Sequence, residues 1–259
     1  MNDTIALHAR VLGTSDRPHL VILHGLLGTS DNWQTLGRAY AETHCVHLID
    51  QRNHGRSAHH EEHTYVSMAH DLERYFTENS LQKASIIGHS MGGKTALAFA
   101  DAFPDRVDKL IVADIASHAY SPHHQSIFDA IQSAPIAGHS DRSKIQHHLL
   151  EQLNDPGVVA FLMKNAPRLK DGGFQWRPNI AVLEKVLGAV VGAVPLEMNT
   201  LPTLVIYGGK SDYVNQEALE IFDRACMQLD IHCIEEAGHW LHASHPEEFR
   251  EITLEFLAN

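Results

Sequence analysis

A mostly parallel α/β sheet flanked by helices, with an inserted helical cap, is predicted by three observations on this 259-residue chain. Short apolar, β-branched runs alternate with helix-period patterns through residues 1–116, the rhythm of βαβ units. The same rhythm returns at 201 and continues to 259. Between them, 117–200 carries helical patterns without strand alternation, and a segment this long cannot be an ordinary connection. The expected division is a core of 1–116 and 201–259 and a cap of 117–200.

In chain order, "HLVILHG" (19–25) is the first buried strand, followed by a helix over 31–42. "CVHLID" (45–50) is the next strand, and 64–79 is an amphipathic helix. "ASIIGH" (84–89) runs directly into the helix "MGGKTALAFADAF" (91–103), and "VDKLIVAD" (107–114) follows. The cap patterns are "HQSIFDAIQSA" (124–134), "SDRSKIQHHLLEQLN" (140–154), "PGVVAFLMKNA" (156–166) and "NIAVLEKVLGAVVG" (179–192). "PTLVIYGG" (202–209) and "IHCIEEAGH" (231–239) supply two more strands, and 245–259 is a closing helix with Pro246 at its start. The cap is expected above the C-terminal edge of the strands, where open α/β sheets bind ligands.

Composition narrows the functions. An apolar content of 44% and a charged content of 20% are those of a soluble globular protein. The net charge of −12 argues against a nucleic-acid or anionic-membrane partner. No apolar run is long enough to span a bilayer, so no membrane insertion is expected. The start "MNDTIALHARVLG" lacks a signal-peptide pattern, and a cytoplasmic location is expected. Cys45, Cys226 and Cys233 form no framework pattern and read as reduced thiols. Among 21 histidines, His59 with His63 and His239 with His242 have ligand-like spacing. They lack companion Cys or carboxylate groups, so neither a metal nor another cofactor is expected.

"GHSMG" (88–92) matches G-x-S-x-G, between a buried strand and a helix as that motif requires. Ser90 is then a nucleophile on a sharp turn, with Gly88 and Gly92 giving the turn room. An attacking serine needs donors for the oxyanion it creates. The backbone N–H groups of Leu26, in "HGLLGTSDNW" (24–33), and of Met91, at the start of a helix, are the candidates. His24 ends a strand and is expected to hold the neighbouring loop. The base should come late in the chain, and His239 follows the last strand; His242 and His245 fall towards the closing helix. For the acid that orients it, Asp114 and Asp212 both follow predicted strands. These residues alone leave the two open.

Together with "DQRNHGRS" (50–57), "VADIA" (112–116), "WRPNI" (176–180), "YGGKSDYV" (207–214) and "AGHWLHA" (237–243), these motifs resemble the α/β-hydrolase superfamily over essentially the whole chain. Within it they are similar to the YbfF-type esterases. In many hydrolases of this fold the acid follows the penultimate strand as the fourth residue of a G-x-x-D-x-x-V pattern, which, laid on 208–214, puts Ser211 at the acid's place and Asp212 one residue later. The resemblance implies Asp114 as the acid, with Ser211 as an auxiliary hydrogen-bond partner of His239. Arg52 and Asn53 match the family's pattern, and they are expected to hold the strand-end loops together rather than to act in catalysis. The expected function is a serine carboxylesterase that hydrolyses short- to medium-chain acyl esters through an acyl-enzyme. An acyl-CoA thioesterase and a carbon–carbon bond hydrolase or lyase are the alternatives, and a non-enzymatic receptor ranks last. The expected partner is a small acyl ester or thioester, and the expected assembly a monomer or homodimer. Phe128, Ile131, Phe161, Leu162, Met163 and Trp176 either line an acyl groove or form the cap's own core. Lys164, Arg168, Lys170 and Arg177 make a local basic cluster, either a solvated face or a site for an anionic substrate.

Overall fold

The computed structural model describes residues 3–121, 124–136, 141–170 and 172–259. Its strands are β1 (His8–Leu12), β2 (His19–Leu23), β3 (Cys45–Asp50), β4 (Ala84–His89), β5 (Val107–Ala113), β6 (Asn199–Gly208) and β7 (Cys226–Ile234). They form one sheet in the order β1-β3-β2-β4-β5-β6-β7, parallel except for the antiparallel β1–β3 pair. The core helices are α1 (Gln34–Tyr40), α2 (Tyr65–Glu78) and α3 (Met91–Ala102). The cap contributes α4 (Gln125–Ser133), α5 (Arg142–Leu153), α6 (Pro156–Met163), α7 (Ile180–Lys185) and α8 (Leu187–Val190). Then come α9 (Gln216–Ala225), α10 (Leu241–Ser244) and α11 (Pro246–Ala258).

β3 and β4 are buried at every position because helices cover both faces of the sheet. Successive side chains then feed two separate cores. Ile22, Leu48, Ile87, Ile111 and Leu204 pack with Trp33, Leu36, Tyr40 and Phe249 on the α1 and α11 side. Val21, Leu23, Ile86, Val112 and Val205 pack with Leu72, Phe76, Phe99 and Phe222 on the side of α2, α3 and α9. The start of α2 is fixed by Thr64, whose hydroxyl accepts the Ser67 N–H while the Ser67 hydroxyl accepts the Thr64 N–H.

Sequence periodicity misses β1, a partly exposed edge strand of five residues. It also starts β6 and β7 late, at 202 and 231, where the ladder begins at Asn199 and Cys226. β7 is an edge strand with exposed Met227, Gln228 and Asp230, so its first half lacks a buried strand's continuous apolar run. The helix expected over 31–42 is a 3₁₀ turn, Ser30–Trp33, followed by the shorter α1. The four cap patterns coincide with α4 to α8, although Ser140 at the head of one lies outside the described residues. Asn199 and Thr200, counted with the cap from sequence, already belong to β6.

The cap has its own core of Phe128, Ile131, Ile145, Leu149, Met163 and Leu183. Its two ends run side by side, with Val194 N–H on Ser117 O at 2.8 Å and Tyr120 N–H on Val191 O at 2.8 Å. Polar contacts lock it to the sheet's loops. Asn179 N–H donates to Asn53 O at 2.9 Å, and Arg177 pairs with Asp31 at 3.1 Å. Lys94 of α3 is buried and donates to the carbonyls of His118 and Gly192. Beneath this, fully buried Arg52 grips Asp71 through Nε at 2.6 Å and Nη2 at 2.9 Å. All three cysteines are free. No described helix is long and apolar enough to cross a membrane.

Candidate active site

Three elements end at the C-terminal edge of the sheet with strained backbone. Ser90, between β4 and α3, has φ 53° and ψ −121°. Asp114, just after β5, has φ 48°, and Leu27, in the loop after β2, has φ 58°. Non-glycine residues adopt this left-handed region at a cost, so its clustering marks a constrained site. The elbow at Ser90 depends on its glycines. A Cβ on Gly92 would overlap the carbonyls of Leu23 and His24, and one on Gly88 would overlap the Gly92 carbonyl.

The elbow, the β5 end and the loop after β7 bring three expected side chains into one chain of hydrogen bonds. Ser90 Oγ lies 3.0 Å from His239 Nε2, and His239 Nδ1 lies 2.7 Å from Asp114 Oδ2. With Nδ1–H donated to the carboxylate, Nε2 presents its lone pair to the serine hydroxyl. Asp114 is fully buried, and each of its oxygens takes a further donor besides the imidazole. Gly208 N–H donates to Oδ1 at 3.0 Å, and the Ser211 hydroxyl donates to Oδ2 at 2.5 Å.

Ser211 is the correction. It was expected to bond His239, and it bonds the carboxylate instead. One imidazole nitrogen is committed to Asp114 and the other faces Ser90, so neither is left for Ser211. Asp212 is exposed and makes no bond to His239.

The donors expected to hold an oxyanion flank Ser90. Among the described residues, neither Leu26 N–H nor Met91 N–H has a protein acceptor. The loop that carries Leu26 is pinned from two sides. Leu27 N–H donates to His54 Nε2 at 3.1 Å, and Leu27 O accepts the Asn165 amide of the cap. His24 holds this region as expected, donating Nδ1–H to Gly25 O at 2.8 Å and accepting Gln51 N–H at 3.1 Å. Burial pushes the His24 imidazole pKa down, so the ring stays neutral in that role.

Two participants were not found from sequence. His89, the last residue of β4, donates Nε2–H to the His239 carbonyl at 2.8 Å, and burial holds its pKa well below the usual range. Its place as the variable residue before the serine gives no separate signal. Tyr213 stacks on His239 with ring centroids 4.0 Å apart. Its place beside the displaced aspartate of "GGKSDYV" was the available clue. His242 is buried in α10 and stacks on Trp33 at 4.2 Å, and burial lowers its pKa to about 3.

A cavity of about 240 Å³ opens beside Ser90 and His239, lined on its apolar side by Leu26, Leu27, Ile127, Val158, Phe161 and Leu162. Of the cap's candidate lining residues, Phe161 and Leu162 reach it. Phe128, Ile131 and Met163 belong to the cap core, and Trp176 packs against that core with its N–H on Ile131 O. Lys164, Arg168 and Lys170 are exposed, while Arg177 is committed to Asp31. Among the described residues, the group of three metal-ligand atoms that converges is His19, Cys45 and His47, at the opposite end of the strands.

This geometry has close relatives. The α/β hydrolase fold family matches residues 18–141. Esterase YbfF of Escherichia coli (strain K12) is 35% identical over 229 residues, which cover 88% of each chain. The sn-1-specific diacylglycerol lipase ABHD11 of Mus musculus is 32% identical over 95% of this chain and 83% of its own. The solved structure of a marine microorganism esterase superposes with a TM-score of 0.94 at 38% identity, covering 98% of this chain and 100% of that one. On the fold, the serine elbow and these identities, the chain belongs to the α/β-hydrolase superfamily and is YbfF-like within it.

Proposed function

We propose that this carboxylic ester hydrolase works through Ser90 as nucleophile, His239 as general base and acid, and Asp114 as the group that orients and stabilises the imidazole. The observation that carries this reading is the unbroken Ser90–His239–Asp114 hydrogen-bond chain, at 3.0 and 2.7 Å, opening on an apolar cavity. His239 Nε2 takes the hydroxyl proton as Ser90 Oγ bonds to the ester carbonyl carbon. The carbonyl electron pair becomes an oxyanion, held by the N–H groups of Leu26 and Met91. The imidazolium formed is stabilised by Asp114. Collapse of the intermediate breaks the ester C–O bond, and the leaving alcohol takes its proton from Nε2. A water, deprotonated by the same nitrogen, then attacks the acyl-enzyme and frees the acid and Ser90.

The substrates this site favours are short- to medium-chain acyl esters. A cavity of about 240 Å³ is at the small end for ligand sites, and its lining is mainly apolar. Acyl-CoA thioesters use the same chemistry, and exposed Lys164, Arg168 and Lys170 are the cap residues that would favour their charge. A series of p-nitrophenyl esters of rising acyl length, run beside acyl-CoA thioesters, tests the reading. Turnover should peak at short to medium chains and vanish in Ser90→Ala. Equal turnover by Ser90→Ala would remove the serine mechanism. A marked preference for acyl-CoA that falls with added salt would make thioesters the substrate class.

A further inference from the structure

The ends of β2 and β3 remote from Ser90 carry an arrangement that ester hydrolysis does not use. β2 and β3 run parallel, with His19 beside Cys45 and Val21 beside His47. Side chains alternate along a strand, so His19, Cys45 and His47 all emerge on the same face. Cys45 and His47 are buried, and His19 is half-buried at the margin. His19 Nδ1 lies 3.0 Å from His47 Nε2, and Cys45 Sγ lies 3.7 Å from that same nitrogen. The three donor atoms all fall within 4.8 Å of one another.

Two of the three spacings are close to those around a tetrahedral ion. The third, His19 Nδ1 to Cys45 Sγ, lies within 4.8 Å and would close on an ion by a small movement of half-buried His19. Metal–nitrogen bonds of about 2.0 Å and metal–sulfur bonds of about 2.3 Å put neighbouring ligands about 3.3 Å (N···N) and about 3.5 Å (N···S) apart. Both shorter separations are within about 0.3 Å of that geometry. The ligand set is also oriented from behind. His47 Nδ1 lies 2.8 Å from the Tyr75 hydroxyl, and donation of Nδ1–H there leaves the Nε2 lone pair facing His19 and Cys45. Without an ion, His19 Nδ1–H satisfies that lone pair. Sequence spacing hides the trio, because His19 lies 26 residues before Cys45 and joins it only through strand pairing.

We propose that His19, Cys45 and His47 form a three-ligand site for a borderline divalent transition-metal ion, Zn²⁺ foremost, with the fourth position open to water on the His19 side. The ion binds His19 Nδ1, Cys45 Sγ and His47 Nε2. Cys45 releases its thiol proton to solvent, and the His19 proton moves from Nδ1 to Nε2, so one proton is released per ion. The bound ion staples β2 to β3 at the end of the sheet opposite the catalytic elbow.

The full chain, stripped with a chelator, would be titrated with Zn²⁺ against a chromophoric competitor and separately with Co²⁺. The expected result is one tight ion per chain, a thiolate-to-cobalt charge-transfer band, and a Tm raised by roughly 5 °C at excess Zn²⁺. Cys45→Ser should abolish the band, and both Cys45→Ser and His19→Asn should weaken Zn²⁺ binding by at least about tenfold. Ester turnover should be unchanged with and without the ion. No stoichiometric ion, or an ion held equally well by both variants and therefore by other histidines, would overturn the proposal. His19→Asn alters a half-buried strand start, so it carries the test if Cys45→Ser fails to fold.

Discussion

At the scale of single residues, the site turns on which group faces the His239 Nδ1–H. Asp114 takes it, and the burial of this carboxylate is offset by donors from Gly208, Ser211 and His239. Asp114→Asn should therefore fold and lower kcat by about 10⁴-fold, because an amide favours the wrong imidazole tautomer and cannot stabilise the imidazolium. Asp212→Asn should stay near wild type, and Ser211→Ala should lose several-fold to about tenfold, since it strips one of three donors from Asp114. Steady-state kinetics on a soluble ester reads all three, and a crippled Asp212→Asn beside a normal Asp114→Asn would reverse the assignment. His89 belongs to the same scale. His89→Phe removes the bond to the His239 carbonyl and should cut kcat by about 10- to 100-fold with KM little changed, through misplacement of the ring. A rise in KM at constant kcat would instead place His89 in substrate binding. Ser90 and His239 were legible in the sequence because a motif and a chain position announce them. Neither could announce the partner of Ser211 or the bond made by His89, which depend on how loops from different strands meet.

At the scale of elements, legibility followed burial. β3 and β4 lie in the sheet interior, so both faces are apolar and their runs are continuous. β1 and the start of β7 sit at the edges, where solvent permits polar residues and the pattern fades. The cap helices could be read as elements, but not which of their apolar side chains reach the cavity. Phe161 and Phe128 lie in the same kind of helical pattern, yet Phe161 lines the cavity and Phe128 fills the cap core. The loop between β3 and α2 has a fixed anchor in Arg52, whose guanidinium is buried against Asp71. Arg52→Met would leave that carboxylate buried without its partner and should cost roughly 3–5 kcal/mol. For a chain of this size the Tm should fall by roughly 10 °C. An unchanged Tm would show that the pair is replaceable by apolar packing.

At the scale of the whole molecule, the histidines that seemed scattered along the chain divide by burial. Burial lowers the pKa of His24, His54 and His89, takes His47 to about 4, and takes His63 and His242 to about 3. Each binds a proton in the unfolded chain near pH 6.5 and resists it in the folded one. Their contribution to stability is therefore complete above about pH 6.5 and is lost as pH falls towards the folded-state values. A histidine depressed to about 3 gives up about 2 kcal/mol by pH 5, so several together approach the stability of a typical domain. Thermal unfolding followed by circular dichroism should give a Tm level above about pH 7 and falling steeply below about pH 6. A Tm that holds steady to pH 4 would contradict the burial of these rings as neutral groups.

The most direct measurement of the central assignment is intact-mass and peptide analysis after reaction with a fluorophosphonate, which phosphonylates an activated serine. Wild type should gain one adduct per chain, on the peptide containing Ser90, with loss of ester turnover in step with labelling. Ser90→Ala should gain none, and Asp114→Asn should label far more slowly. An adduct on another residue, or full ester turnover in a chain fully labelled at Ser90, would contradict the assignment of Ser90 as the nucleophile.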